Sequence, residues 1–381
     1  MAISRRTLLQ RLAAGAVAGA AAKSFTGIAF AEEVAPPGAA VLVEPLLLYR
    51  NENPYGPSEK VLAVMREACS CGNRYPRNEE YDSLLNKIAA MHGVKPEQIV
   101  LGCGSSEILR LTATTFLGPQ KKLVEAAPTF PLLGKLAQAA SAEVVDVPLN
   151  TKFEHDLDGM LARLDASAGL VYVCNPNNPT GTITPRKDIE AFIRKLPAKS
   201  TVLIDEAYHH FASETPDYVS FLDRPIDDNR VIVARTFSKI YGLAGMRVGY
   251  AVAPQDVARR LSADRMQFAV SVISARAASA ALDDSEYVRM GIKRNAADRR
   301  EFMTQANARK LRPIDSHTNF LMLNPGRPPQ EVVDHLKKNN ILIGPIYPAM
   351  DKYIRVSLGT PSEMQIFWSA WDLMPARKMA M

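Results

Sequence analysis

The chain has 381 residues, of which 47% are hydrophobic and 23% are charged, a balance that excludes a disordered chain and a membrane protein with several spans. The net charge is +6, but residues 1–31 hold four basic side chains and no acidic one, so the rest of the chain has 42 basic and 40 acidic residues. So small a surplus gives no reason to expect nucleic-acid binding or stable membrane association.

The first 31 residues have the features of an export signal. Arg5 and Arg6 precede hydrophobic residues, as in twin-arginine signals. The uncharged run at 12–22 spans only about half of a hydrocarbon core, and Ala-Phe-Ala at 29–31 has the small-x-small pattern of a cleavage site. The sequence therefore predicts a signal peptide over 1–31, the twin-arginine export machinery as a partner, and a periplasmic or otherwise exported mature protein that starts at about Glu32.

Seven short β-rich runs follow, at 99–103, 122–126, 143–148, 169–174, 201–205, 230–236 and 247–252. Several are continuous apolar runs, as expected of strands buried on both faces, and most connections are long enough for a helix. The sequence therefore predicts an α/β fold whose large domain (75–275) has a mostly parallel seven-stranded sheet flanked by helices.

The pattern changes after residue 275. A charged helical stretch at 285–310 leads to short strands at 319–323, 341–343 and 353–357, and a closing helix begins near Pro361, which suits a first helical turn. We therefore expect a smaller α+β domain over 276–381. Residues 32–74 are predicted to form an N-terminal arm and part of the small domain.

Polar motifs stand where four predicted strands end, at the edge where open parallel sheets bind ligands. Gly104, Ser105 and Ser106 open a helix after the strand at 99–101, and free N–H groups at a helix start can bind phosphate. Asn-Pro-Asn-Asn-Pro-Thr-Gly at 175–181 forms a rigid turn after the strand at 169–174. Taken singly, the first motif is also compatible with a plain helix cap, and the second is also compatible with a plain turn.

The next two strand ends carry charged side chains. Asp205 ends an apolar strand, where a carboxylate needs a cationic or hydrogen-bonding partner. Lys239 closes Thr-Phe-Ser-Lys at 236–239, and Arg247 follows. A lysine in a ligand cleft can be kept neutral by desolvation and nearby cations, which makes it a nucleophile for carbonyl carbons.

The order and spacing of these motifs resemble those of the class I/II, fold-type-I pyridoxal-phosphate aminotransferases, most closely the histidinol-phosphate aminotransferase branch. The resemblance runs over residues 49–361 and includes Asn-Glu-Asn-Pro-Tyr-Gly at 51–56, Arg-Tyr-Pro at 74–76, Pro-Thr-Phe at 128–130, Asp-Glu-Ala-Tyr at 205–208 and Arg-Val-Ser-Leu-Gly-Thr at 355–360. It implies a pyridoxal 5'-phosphate enzyme that moves an amino group from an amino acid, or a histidinol-phosphate-like amine, to a 2-oxo acid by a ping-pong Schiff-base mechanism.

The resemblance implies catalytic roles for Lys239, Asp205 and Tyr208. Lys239 would bind the cofactor aldehyde and later move the substrate's α-proton, and Asp205 would keep a proton on the ring nitrogen. Asn178 and Tyr208 would bond the phenolic oxygen of the ring. Phe130 would stack on the ring, where the family usually has tyrosine.

The resemblance also implies the binding groups around the cofactor. Its phosphate would be held by Gly104, Ser105, Ser106, Thr236, Ser238 and Arg247. Tyr75 would reach the phosphate site of a neighbouring subunit, which implies a homodimer. Arg355 would bind the acidic group of the substrate with two hydrogen bonds, and Asn53, Asn178 and Tyr347 complete the predicted substrate site.

One segment departs from the branch. Histidinol-phosphate aminotransferases usually have a second phosphate-binding arginine in the segment that here reads Ile-Leu-Ile-Gly-Pro-Ile-Tyr at 341–347, and neither Gly344 nor Pro345 can replace it. One arginine suits a carboxylate of one charge. We therefore expect an ordinary α-amino acid as donor, and an aromatic or otherwise apolar one suits Phe130 and Tyr347.

Two other functions stay open at this stage. The same cofactor apparatus serves amino-acid decarboxylation and side-chain chemistry, so Lys239 and Asp205 do not exclude them. A non-catalytic exported binding protein could keep the fold, although it would not need an electron sink. We expect no metal site and structural roles for the remaining candidates, Cys69, Cys71, Cys103, Cys174, Glu206, His209 and His210.

Overall fold

The computed structural model describes residues 44–375, so the predicted signal peptide lies outside the described residues. Its strands are β1 (Leu46–Leu48), β2 (Ile99–Cys103), β3 (Lys122–Ala127), β4 (Glu143–Pro148), β5 (Ala168–Cys174), β6 (Thr201–Asp205), β7 (Val231–Thr236), β8 (Val248–Val252), β9 (Arg312–Pro313), β10 (Phe320–Asn324), β11 (Ile341–Ile343) and β12 (Ile354–Ser357). Its α-helices are α1 (Glu59–Ala68), α2 (Asn78–His92), α3 (Ser105–Phe116), α4 (Leu132–Ala139), α5 (Leu157–Leu161), α6 (Arg186–Lys195), α7 (His209–Ala212), α8 (Gln255–Ala263), α9 (Val272–Leu282), α10 (Ser285–Ala308), α11 (Pro329–Lys338) and α12 (Pro361–Asp372).

The largest sheet has seven strands in the order β2-β8-β7-β6-β5-β3-β4. β8 runs antiparallel to both of its neighbours, and the other adjacent pairs are parallel. The prediction of an α/β fold with a mostly parallel seven-stranded sheet is confirmed. All seven residues of β5, an interior strand, are buried, because helices cover both faces of the sheet.

Two hydrophobic cores, one on each face of the sheet, join it to the helices that cover it. One face packs against α2 and α6 through Leu84, Ile88, Ile189 and Phe192. The other face packs against α3, α4 and α8 through Ile108, Leu109, Leu133 and Leu261. The sheet is therefore held rigidly between two helix layers, and its strand ends make a fixed platform.

A second group of strands is built mainly from the C-terminal part of the chain. β12, β10 and β9 form an antiparallel sheet, and β1 pairs in parallel with β11. These strands share a core with α10, α11 and α12 that includes Phe302, Phe367 and Trp368. The strands predicted near 319, 341 and 353 are present, whereas β1 and β9 were not predicted.

The N-terminal part of the described chain contributes to both groups. β1 joins β11, whereas Val61 of α1 belongs to the core of the seven-stranded sheet. The predicted division into an arm, a large domain and a small domain stays a prediction.

Between residues 44 and 375, no helix is both long and apolar enough to cross a membrane.

The closing helix begins where the sequence predicts. Pro361 occupies the first turn of α12, and Thr360 caps it by accepting a hydrogen bond from the Glu363 amide. The Glu363 carboxylate accepts one in return from the Thr360 amide at 2.6 Å. This reciprocal pair satisfies backbone donors that a helix start otherwise leaves free.

Candidate active site

A cavity of about 660 Å³ lies at the carboxyl ends of the parallel strands. It brings together most of the residues that the sequence singled out. The predicted residues that line it are Ser105, Ser106, Phe130, Asn178, Asp205, Tyr208, Thr236, Ser238, Lys239, Arg247, Tyr347 and Arg355.

Strand direction explains why distant residues meet here. β5, β6 and β7 are parallel neighbours, so the segments that follow them emerge at one edge of the sheet. β8 runs the other way, so its amino end lies at the same edge and carries Arg247 with it. Arg355 comes from β12 of the second strand group.

Lys239 projects into the cavity beside the arm at 49–52. Its Nζ donates hydrogen bonds to the backbone carbonyl oxygens of Asn51 at 2.8 Å and Arg50 at 3.2 Å. Burial lowers the pKa of Lys239 to about 7, and the positive charges of Arg355 and Arg247 act in the same direction. Near neutral pH a large share of this amine is therefore uncharged and able to attack a carbonyl carbon.

Asp205 is the buried acid of the cavity, with 2% of its surface exposed. The Tyr172 hydroxyl donates to Oδ2 at 2.9 Å, and the Ala207 amide donates to Oδ1 at 3.1 Å. Burial raises the pKa of Asp205 to about 6, and these two hydrogen bonds oppose the rise. The side chain is therefore a carboxylate at neutral pH, with lone pairs left to accept a proton donor from the cavity.

The side-chain oxygens of Asn178 and Tyr208 each accept a hydrogen bond from the protein, and each side chain keeps a donor that can bind a ligand. Asn178 Oδ1 accepts from Arg355 Nη1 at 2.7 Å, and Tyr208 Oη accepts from Asn51 Nδ2 at 3.0 Å. The Asn178 amide hydrogens and the Tyr208 hydroxyl hydrogen can therefore both be given to an oxygen of a ligand.

One end of the cavity is built to hold an anion. Gly104 has φ +73°, and a Cβ atom there would overlap Nη2 of Arg247, so only glycine lets this guanidinium approach the start of α3. Ser105 begins that helix, where backbone N–H groups are free. Thr236 and Ser238 are hydrogen-bonded to each other at 2.9 Å beside it.

Arg355 also lines the cavity, with 6% of its surface exposed. Its Nη1 donates to Asn178 and to the Tyr347 hydroxyl at 2.6 Å, and its Nη2 donates to the Tyr49 carbonyl at 2.7 Å. Its Nε is buried without a partner among the described residues. The guanidinium is thus fixed in place and keeps a donor for a ligand carboxylate.

Three predicted residues lie outside the cavity lining: Gly104, which packs against Arg247 directly behind it, Asn53 and Tyr75. Asn53 donates to the Ile240 carbonyl at 2.9 Å and accepts from the Tyr55 amide, which folds the arm rather than contacting the cavity. Tyr75 is 76% exposed and stacks on Phe268 with the ring centroids 4.7 Å apart. An exposed position is compatible with the role across a subunit interface that was expected for Tyr75.

The cavity includes Asn51, which the sequence analysis did not single out. Its side chain holds Tyr208, and its Oδ1 accepts a hydrogen bond from the Ser357 hydroxyl at 3.0 Å. The signal was present in the same arm motif as Asn53. The φ of +55° at Asn51 bends the chain, and this bend breaks the alternation that would put both asparagines on one side.

The neighbouring polar candidates have structural surroundings. Glu206 is paired with Arg235 at 2.8 Å and accepts from Ser220, in a buried network outside the cavity lining. His209 and His210 contact each other with ring centroids 4.2 Å apart, and burial holds the pKa of both well below its usual range. Over residues 44–375, no cluster of three histidine, cysteine or acidic side chains is placed to hold a metal ion.

The residues of the cavity fit pyridoxal 5'-phosphate. The glycine-lined cradle between Gly104 and Arg247 suits its phosphate, the buried carboxylate of Asp205 suits its ring nitrogen, and Lys239 suits its aldehyde. Phe130 offers an aromatic face for its ring.

Comparison with known proteins agrees with this fit. The family described as aminotransferase class I and II matches residues 43–370. Histidinol-phosphate aminotransferase 2 of Carboxydothermus hydrogenoformans is 39% identical over 82% of this chain and 86% of its own length. Histidinol-phosphate aminotransferase of Akkermansia muciniphila is 36% identical over 83% of this chain and 86% of its own length. The crystal structure of histidinol-phosphate aminotransferase from Sinorhizobium meliloti in complex with pyridoxal-5'-phosphate is 30% identical, covers 86% of this chain and 90% of its own, and has a TM-score of 0.80.

Proposed function

Since this chain belongs to the aminotransferase class I and II family and is a pyridoxal 5'-phosphate-dependent aminotransferase, we propose that its amino donor is an ordinary α-amino acid. The alternative donor is a phosphorylated amine such as histidinol phosphate, which the names of several relatives suggest. The observation that carries the proposal is the absence of an arginine from the segment at 341–347, which leaves Arg355 beside Gly344 as the anchored guanidinium of this part of the cavity.

The proposed roles of the chain's own residues follow from their positions. When bound, the cofactor supplies an aldehyde for the amino group and a protonated ring that accepts electrons. Asp205 keeps the proton on the ring nitrogen, and Asn178 and Tyr208 hold the neighbouring oxygen. Lys239 Nζ, with its pKa near 7, is suited both to take and to return the α-proton of the substrate.

The charge of the substrate site favours a carboxylate over a phosphate. A carboxylate brings one negative charge and two oxygens, which one guanidinium can match with two hydrogen bonds. A phosphate brings nearly two charges and three oxygens. Pro345 and Tyr347 line the wall beside Arg355, and they leave room for an apolar side chain.

Gly344 marks where a second cation could be added. Its amide donates to the Arg355 carbonyl at 2.9 Å, and a Cβ atom at Gly344 would lie 3.1 Å from Arg355 Nε. A side chain at this position would therefore start directly beside the substrate-binding guanidinium. The lack of one leaves Arg355 without a cationic neighbour on this segment.

Steady-state kinetics on histidinol phosphate and on a panel of α-amino acids tests the donor. We expect the highest kcat/KM for an apolar or aromatic amino acid, because a lost charge-assisted contact to phosphate costs about 1.5–3 kcal/mol, or roughly ten- to a hundredfold in affinity. A kcat/KM for histidinol phosphate above that for every amino acid would contradict the proposal.

A paired variant sharpens this test. Gly344→Arg should raise kcat/KM for histidinol phosphate by about tenfold or more, relative to the amino acids, because it adds a cationic hydrogen-bond donor for the substrate's phosphate. Gly344→Met has a comparably long but uncharged side chain and should not. Equal effects of the two substitutions would show that only crowding at position 344 matters.

The homodimer is supported by large apolar side chains that are exposed in the single chain. Tyr75 is 76% exposed, Met266 is 65% exposed and Phe268 is 41% exposed, and such a cluster is typical of a surface that another subunit covers. Multi-angle light scattering on the purified protein should give twice the chain mass. A monomer mass at micromolar concentration would refute the dimer.

The N-terminal sequence supports the proposal that the chain is exported and that its signal peptide is cleaved after about residue 31. The twin-arginine route carries folded cargo, which suits an enzyme that takes up its cofactor in the cytoplasm. Arg5→Lys together with Arg6→Lys should leave the uncleaved protein in the cytoplasm, as immunoblots of cell fractions would show. Lys23→Arg, in the same segment, is the control and should export normally; normal export of the double variant would show that the signal is of another kind.

A further inference from the structure

Behind the cavity, the hydroxyl of Tyr172 is directed at the buried acid of the site. Tyr172 lies in the middle of β5, is fully buried and does not line the cavity. Its Oη donates to Asp205 Oδ2 at 2.9 Å. Because the Ala207 amide occupies Oδ1, each carboxylate oxygen has one donor from the protein.

The sheet register makes this contact possible. Tyr172 is paired with Leu203 on β6, and Asp205 lies two residues further along the same strand, so both side chains emerge on one face. The phenol bridges this diagonal, and its ring fills apolar space that phenylalanine would fill equally well. A hydroxyl in an otherwise apolar strand is costly to bury unless it is paired, and Asp205 is its partner.

We propose that Tyr172 is a positioning residue that holds the Asp205 carboxylate ionised and oriented toward the cofactor ring nitrogen. The inference rests on the proposed contact between Asp205 and that nitrogen. Burial and the charge of Glu206 raise the pKa of Asp205, whereas the hydrogen bond from Tyr172, the Ala207 amide and the charge of Lys239 lower it. Tyr172 itself stays protonated, because burial raises its own pKa well above the ordinary value.

The sign of the effect follows from these opposing influences. A carboxylate that receives a hydrogen bond is less basic, so it leaves the shared proton on the ring nitrogen. Without the Tyr172 hydroxyl, Asp205 is more basic and less well oriented. A larger share of Asp205 is then neutral near pH 7, and a neutral acid offers the protonated ring nitrogen no negative charge, so the cofactor is bound more weakly.

A binding cycle with two ligands tests the inference. The dissociation constants of pyridoxal 5'-phosphate and of its 1-deaza analogue, in which carbon replaces the ring nitrogen, are measured by titrating apoprotein. Tyr172→Phe should weaken pyridoxal 5'-phosphate binding by about ten- to a hundredfold, and analogue binding by less than about threefold. Tyr218→Phe is the matched control, because its buried hydroxyl has no partner among the described residues, and it should change neither constant.

The outcomes distinguish a failure of the Tyr172 role from a failure of the proposed contact between Asp205 and the ring nitrogen. Equal losses for both ligands, or no loss for either, would overturn the role of Tyr172. Equal binding of both ligands by the unmodified protein would show that Asp205 does not contact the ring nitrogen, and both this proposed contact and the role of Tyr172 would fall.

A second variant covers the case that Tyr172→Phe does not fold. Replacement of Tyr172 by 3,5-difluorotyrosine keeps the hydroxyl and makes it a stronger donor. The preference for pyridoxal 5'-phosphate over the deaza analogue should then increase, and an unchanged or reduced preference would contradict the inference.

Discussion

Lys239→Ala is expected to lower kcat by at least about 10³-fold and to abolish covalent attachment of the cofactor. Proton transfer by a positioned side chain alone contributes about 10²- to 10⁴-fold, and the variant loses the nucleophile as well. Borohydride reduction followed by peptide mass spectrometry should find the cofactor on Lys239 in the unmodified protein and on no residue in the variant.

The surroundings of Lys239 add a pH signature. Burial lowers its pKa to about 7, and only the neutral amine attacks an aldehyde, so attachment to apoprotein should become faster as the pH rises through about 7. Lys87→Ala is the control, since Lys87 forms a partly exposed ion pair with Asp283 away from the cavity. Near-normal turnover of Lys239→Ala would contradict the assignment of Lys239 as the catalytic lysine.

Asp205→Asn is expected to lower kcat/KM by roughly 10²- to 10⁴-fold, because breaking a buried charge pair costs about 3–5 kcal/mol. The amide keeps the shape of the side chain but cannot hold a proton on the ring nitrogen. A cofactor methylated at that nitrogen carries a permanent positive charge, and it should recover part of the lost activity in the variant.

Glu125→Gln provides the matched control for this substitution. Glu125 is a buried carboxyl on the same sheet, and burial raises its pKa to about 8, so it is largely neutral at pH 7 and an amide replaces it with little change in charge. We expect kcat/KM within about threefold of the unmodified protein for Glu125→Gln. The same small effect for Asp205→Asn would remove Asp205 from the mechanism.

The pH dependence of cofactor binding reports on the same carboxylate. Because burial raises the pKa of Asp205 to about 6, the side chain is ionised above that pH and becomes neutral below it. Cofactor affinity of the unmodified apoprotein should therefore fall as the pH drops through about 6. The fall should be less steep for Asp205→Asn, in which only Lys239 and the cofactor phosphate still titrate over this range.

The sheet and the strand ends could be predicted because their signals are local. Strands such as β5 are continuous apolar runs, and each motif follows its strand directly in sequence. The direction of β8 could not be read from its residues, since a fully buried strand has the same composition in either direction. Only the short connection between β7 and β8, which lacks a crossover α-helix, indicated it.

The arm was harder to predict because its contacts are remote in sequence. β1 has three residues and pairs with β11 near the other end of the chain, so no local pattern identifies its partner. A similar reason explains why Asn51 lines the cavity although the sequence analysis selected Asn53. The sequence locates the arm motif, but the backbone turn at Asn51 decides which side chain enters the cavity.

The most direct test of an aminotransferase follows the nitrogen atom. The purified protein, loaded with pyridoxal 5'-phosphate, is incubated with ¹⁵N-labelled amino acids and 2-oxoglutarate, and the products are identified by mass spectrometry. We predict that ¹⁵N appears in glutamate together with an equal amount of the donor's 2-oxo acid, and that no carbon dioxide is released. Release of carbon dioxide without labelled glutamate would show a decarboxylase on this fold, and the absence of any product from the whole panel would favour a binding protein.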